Sequence, residues 1–224
     1  MLEQLAGSYP EVLPVKENSG DAPADHSRWR EGYLLHRLDN WTSGVLLFAR
    51  NQEAFETFRS LIRGSAGKSA VEKEYLACVE GRIPGSLPVS IEYPMAHSSK
   101  RSSGKMVAVK NSPEEEISGS FPWREKYRGN PRAAKTRILS CSVSRDGGSI
   151  CRIMISRGQR HQIRCHLAAI GCPIQGDTLY GAAPLKQKEG FLLQHQKIRF
   201  FHPFLQKEII IEAPMPEWVR KARF

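Results

Sequence analysis

This 224-residue chain is short of several things, and each shortage closes off a class of function. Its five cysteines (Cys78, Cys141, Cys151, Cys165 and Cys172) include no C-x-x-C pair and leave one over in any pairing scheme. That argues against a disulfide framework and for a reducing compartment. No apolar run approaches the length of a membrane span, and the first residues lack the apolar stretch of a secretion signal. A soluble, cytoplasmic protein with no membrane partner is therefore expected. His161 and His166 are five positions apart, not the four that sets two ligands on one helix face, so no metal site is expected. No glycine-rich loop ends in Lys-Ser/Thr, and Ser43, in Thr-Ser-Gly-Val, is not the centre of a G-x-S-x-G elbow. P-loop and serine-hydrolase chemistry drop out, and no period of repeat-protein length is evident.

Acid is also scarce. The formal charge is +10 and the pI about 9.6. Residues 1–25 hold five acids (Glu3, Glu11, Glu17, Asp21, Asp25) against one base, Lys16, so the remainder carries +14. A basic body suits a partner made of phosphates. Residues 1–29, polar, acidic and broken by Pro and Gly, read as an arm or lead-in, and 30–224 as a single folded domain.

What is present is concentrated in two stretches. The first, His36 to Gly44, reads HRLDNWTSG and runs into the apolar Val45–Ala49, which predicts a buried strand. A polar, turn-rich segment anchored on a core strand is a usual place for a reacting group, here Asp39. The plainer alternative is that Asp39, Thr42 and Ser43 only turn the backbone. The second stretch is Ser156 to Gly181. Ile163, Leu167 and Ile170 recur at i, i+4 and i+7, which predicts one apolar helical stripe, with Arg160 and Arg164 a turn apart on the flanking face. Gly171 and Pro173 stop that helix. Elsewhere, Asn51 caps a helix carrying Ala54, Phe55, Phe58, Leu61 and Ile62 on its apolar face. Glu74–Val79 is a strand and Lys100–Lys105 a basic loop. Asn111–Arg132 reads as an irregular insertion with Trp123 and Tyr127 among its bases. Asp146-Gly147-Gly148 joins Ala134–Val143 and Ser149–Ile155 as a hairpin. Phe191–Phe200 and Glu208–Ile211 are two further strands. Many strands with few helices predict an α+β domain on a mixed, largely antiparallel sheet, its helices flanking a central cleft.

Both stretches resemble the RluA-type family of RNA pseudouridine synthases. That family carries an HRLDxxTSG loop and a G-R-T-H-Q-I-R-x-H-L helix, which Gly158 to Leu167 is similar to, with Gln159 and Arg160 in place of the Arg-Thr pair. A G-D-x-x-Y-G turn is matched at Gly176–Gly181, K-x-Y-L-A at Lys73–Ala77, K-M-x-x-V at Lys105–Val109, L-x-H at Leu193–His195 and HP at His202-Pro203. A K-P-x-G strand that such enzymes usually carry ahead of the loop is not found, and a separate N-terminal RNA-binding domain has no room. The resemblance implies a pseudouridine synthase fold and the isomerisation of uridine in structured RNA, ribosomal or transfer, with a monomer favoured. This reaction cuts the N1–C1′ bond, turns the uracil and rejoins it through C5. All atoms are kept and no electrons enter, so no redox cofactor, nucleotide or metal is demanded. The resemblance gives Asp39 the catalytic carboxylate, whether it adds to the base, adds to C1′ or removes the C2′ proton. Arg164 would hold its charge, Tyr75 would be catalytic too, packing on the uracil while its hydroxyl helps move a proton, and Ile163 would add an apolar wall. Arg37 would fill the space left by a uridine swung out of its stack, and Arg160 and Lys105 would bind substrate. The alternative is a basic RNA-binding or RNA-folding protein that keeps the scaffold without catalysis.

Overall fold

The computed structural model describes residues 33–63, 71–110, 125–143, 148–186 and 189–222. The expected arm over 1–29, the first part of the expected insertion with Trp123, and Asp146-Gly147 of the hairpin turn lie outside them. The described residues fall into two compact units.

The smaller unit comprises residues 33–38, 46–63, 71 and 200–209. Tyr33 to Leu35 run antiparallel to Leu47–Ala49 through a Leu34–Phe48 bridge, with Leu35 N–H donating to Leu47 O at 3.0 Å. Helix α1 (Gln52–Arg63) starts as expected, the Asn51 side chain accepting the Ala54 N–H at 2.9 Å. Phe58 and Leu61 are buried, and the Phe58 ring meets Phe200 and His202 edge-on. These aromatics are core.

The larger unit takes residues 39–45, 72–199 and 210–222 where described. A seven-stranded sheet is made of β1 (Ser43–Gly44), β2 (Glu72–Val79), β3 (Val89–Ile91), β7 (Thr136–Val143), β8 (Ser149–Ile155), β9 (Leu193–His202) and β10 (Lys207–Glu212). They lie in the order β1-β9-β2-β8-β7-β3, with β10 beside β9. Among β1, β2, β3, β7, β8 and β9 the pairings are antiparallel apart from β1 on β9. Strand β8 shows why: Cys151, Ile153 and Ile155 alternate into the core while Arg152 points out to Glu74. One rung of the sheet runs Gly44–His195–Tyr75–Ile153–Ile138 across five strands. A second sheet holds β4 (Met95–Ser98) between β5 (Met106–Ala108) and β6 (Tyr127–Arg132).

Helix α2 (Gln162–Ala169) has core on both sides. Ile163 and Leu167 join the core of the main sheet, with Tyr75, Ile138 and Ile153. Cys165, Ala168 and Ala169 join Met95, Met106 and Tyr180 on the side of the second sheet. A short helix, α3 (Glu217–Arg220), closes the described chain; its Trp218 and Val219 pack against Cys78, Ile150 and Leu192.

Three expectations are corrected. The apolar run Val45–Ala49 is not a buried strand. The regular strand is the preceding Ser43–Gly44, and of the run only Val45 and Ala49 are buried; past Val45 the run meets Tyr33–His36 around a single Leu34–Phe48 bridge. Helix α2 has no single stripe: all eight residues are buried, since it is covered from two sides. Of the expected irregular insertion, Tyr127–Arg132 is a strand paired with β4; its exposed, Gly- and Pro-containing sequence hides the pattern that would have marked it.

Candidate active site

Asp39 opens a tight turn, its carbonyl accepting the Thr42 N–H at 2.9 Å with Asn40 and Trp41 at the tip. The turn is then fixed to the sheet. Ser43 Oγ donates to Gln194 at 3.0 Å, Val45 N–H to His195 O at 2.9 Å, and His195 Nδ1 to Val45 O at 2.7 Å. Gly44 has φ 111°, and a Cβ there would enter the His195 backbone. Only glycine lets the loop come this close.

Across from this loop, α2 presents Arg164, 6% exposed. Its Nη1 reaches Asp39 Oδ2 at 3.2 Å. Its Nε and Nη2 donate to the two oxygens of Asp177 at 2.6 and 2.8 Å. Asp177, 2% exposed, sits in the Gly176–Gly181 turn. The guanidinium also lies 4.3 Å from the Phe191 ring centroid and 5.1 Å from that of Tyr180. Burial works against the charged form of Arg164, but the hydrogen bonds and charge of Asp177, then the charge of Asp39, overcome it and raise its pKa. One permanent cation is thus shared by two carboxylates, one sealed in and one, Asp39, still 23% exposed at its side chain.

Tyr75 stacks on His195, ring centroids 4.6 Å apart, in the shared rung of the sheet. Burial, and secondarily the charge of Asp39, raises the Tyr75 pKa. Its hydroxyl stays protonated at neutral pH. His195, whose pKa burial lowers to about 4, is neutral, and the bond to a carbonyl places its proton on Nδ1. His161 enters α2 with a left-handed backbone, φ 54°. Burial and then the Arg164 charge lower its pKa to about 4, and its Nδ1 lies 3.2 Å from the Tyr180 hydroxyl.

Asp39 and Arg164 are therefore hydrogen-bonded, and Tyr75 lies within reach of the Asp39 charge. The others are placed differently. Ile163 is buried in the core cluster that holds Tyr75. Arg160 is not on the helix: it precedes His161, is exposed, and lies against Gly104, where an added Cβ would come within 2.7 Å of its Nη2. The left-handed turn at His161 takes it off the Arg164 face. Lys105 is paired with Glu125 at 2.9 Å and sits 5.5 Å over the Tyr180 ring. Arg37 is exposed and belongs to the smaller unit. Sequence reasoning missed Asp177, Tyr180, Phe191 and His195 as partners of the site. The signal for Asp177 was available, since a permanent cation in a buried helix requires a buried acid.

The model of a family described as RNA pseudouridylate synthase matches residues 10–169. The ribosomal large subunit pseudouridine synthase C of Buchnera aphidicola subsp. Baizongia pistaciae is 32% identical over 189 residues, 81% of this chain and 52% of that protein. The tRNA pseudouridine synthase C of Pasteurella multocida is 30% identical over 190 residues, 81% of this chain and 72% of that one. The chain thus spans about half the length of the first of these relatives. Among solved structures, human RNA pseudouridylate synthase domain containing 1 superposes with a TM-score of 0.57 at 24% identity, covering 82% of this chain and 69% of that one, a likeness of fold.

Proposed function

Because this chain belongs to the RNA pseudouridylate synthase family, we propose that it isomerises uridine to pseudouridine in structured RNA, with Asp39 as the catalytic carboxylate. The observation that carries this reading is the bond from Arg164 to Asp39, made by a guanidinium that Asp177 already holds from the other side. Arg164 pairs with Asp39 and orients it, and Asp177 keeps Arg164 in place. Tyr75 offers its ring and a protonated hydroxyl to the uracil. Breaking N1–C1′ and forming C5–C1′ releases the proton on C5, and the reaction needs only an ionised carboxylate, a proton donor and a site that keeps the free base from leaving.

The names of the two relatives point to ribosomal or transfer RNA as substrate, and the basic composition supports a phosphate-rich partner. We assign the reaction to the cytoplasm on the RNA named for those relatives. No helix among the described residues is long and apolar enough to cross a membrane. On family likeness, Arg37 fills the space that the uridine leaves, and Ile163 backs the pocket through Tyr75. Exposed Arg160 takes phosphate directly, whereas Lys105 does so only by leaving Glu125.

Uridine tritiated at C5 gives the test. Purified protein incubated with labelled ribosomal or transfer RNA is expected to release tritium, and Asp39→Asn to release none while binding RNA as before. Turnover by Asp39→Asn rejects the assignment of Asp39. Binding without release by the unaltered protein favours a non-catalytic RNA-binding role.

A further inference from the structure

At the tip of the Asp39 turn stands Trp41, 53% exposed and the most exposed aromatic among the described residues. An indole that open loses hydrophobic stabilisation unless something covers it. Its inner side is accounted for. A Cβ on Gly190 would come within 2.8 Å of Trp41 Cγ and Cδ2, so the indole lies directly on the Gly190 backbone. Gly190 in turn is packed against Gly176, where a Cβ would meet the Gly190 carbonyl. These two glycines immediately precede Phe191 and Asp177, the residues that hold Arg164. The indole is therefore fixed on the wall that positions the cation, and its outer side carries no ring partner among the described residues. Trp41 is also two residues from Asp39, at most about 7 Å along the backbone. Whatever brings a reacting group to Asp39 brings its neighbours to this ring.

We propose that Trp41 is a specificity-determining residue, whose outer face stacks on the unpaired base flanking the target uridine. The inference rests on the proposed function for what lies at Asp39. A uridine swung out of a stack leaves its neighbour with a bare π-face, and a fixed indole matches any base in that position. A basic protein with an exposed tryptophan beside its candidate carboxylate fits a single-stranded or looped RNA better than a regular duplex, whose base faces are covered.

The test compares the unaltered protein with Trp41→Ala and Trp41→Phe, using two probes: a single-stranded oligouridylate, and a fully paired RNA duplex of the same length. Trp41→Ala is expected to weaken oligouridylate binding on the order of tenfold and Trp41→Phe much less, with duplex binding unchanged in both. Oligouridylate is expected to quench the fluorescence of the unaltered protein, and Trp41→Phe to lose that quenching. In tritium release from ribosomal or transfer RNA, the Trp41→Ala defect is expected in KM rather than kcat. Unchanged oligouridylate affinity in a folded Trp41→Ala protein overturns the inference, and a fall in kcat alone makes the indole only packing for the loop. If the unaltered protein releases no tritium at all, the proposed function fails, and the two binding probes still decide whether Trp41 holds an unpaired base.

Discussion

Arg164 shows how one side chain divides its donors between structure and chemistry. Its two bonds to Asp177 are short, buried and two-pronged; its bond to Asp39 is single, longer and partly wet. Removing the charge of Asp177 leaves a buried guanidinium with one half-exposed partner. Asp177→Asn is expected to cost about 3 kcal/mol or more in urea unfolding, and to lower tritium release at least tenfold by freeing the guanidinium to turn. A loss below about 1 kcal/mol would show that Arg164 is held by its rings and not by its acid. The Asp39–Arg164 meeting was legible in the sequence because both lie in dense, ordered motifs. Asp177 was passed over although a buried cation calls for an acid, because a Gly-Asp-x-x-Tyr-Gly string reads equally well as a turn made for its own sake. Arg160 was misplaced because helical spacing was extended backward through His161, whose left-handed backbone no periodicity reveals.

Among elements, the two-residue strand β1 matters beyond its length. It ties the Asp39 turn in parallel to β9, in the rung that also aligns His195 and Tyr75. Gly44→Ala combines a positive φ of 111° with a collision against the β9 backbone. It is expected to destabilise by roughly 2–5 kcal/mol and to abolish turnover. The control is Gly81→Ala, at φ 74° with open space around the new Cβ, where only the backbone strain of about 1 kcal/mol applies. Equal unfolding midpoints for the two variants would remove the close approach as the reason for glycine. The hairpin of β7 and β8 was readable from alternation and its Asp-Gly-Gly turn. The apolar run after Gly44 and helix α2 were misread for a common reason: a sequence gives the hydrophobicity of an element but not the number of neighbours that cover it.

Across the whole molecule, buried neutral histidines set a dependence on acid. His166 donates from Nε2 to Tyr93 O and accepts from Thr136, and burial lowers its pKa to about 4, as it does that of His195. Unfolded, each titrates near 6.5. Their contribution is complete above pH 6.5 and is lost as the pH falls toward 4, because the unfolded chain takes up protons that the fold refuses. Urea unfolding between pH 7 and 5 is expected to show falling stability with a slope approaching three protons, since His161 is lowered likewise, worth roughly 3 kcal/mol for each of the two buried rings if followed to pH 4. A flat profile above pH 5, before carboxylates titrate, would mean that these rings are protonated in the fold.

The enclosure of α2 on both sides braces one half of the site. A guanidinium clamped among two cores, a sealed acid and two rings has nowhere to lean. The facing carboxylate rides on a four-residue turn whose tip meets water. In the proposed reaction both partners of the Arg164–Asp39 bond are braced, the guanidinium by Asp177 and the turn of the carboxylate by strand β9.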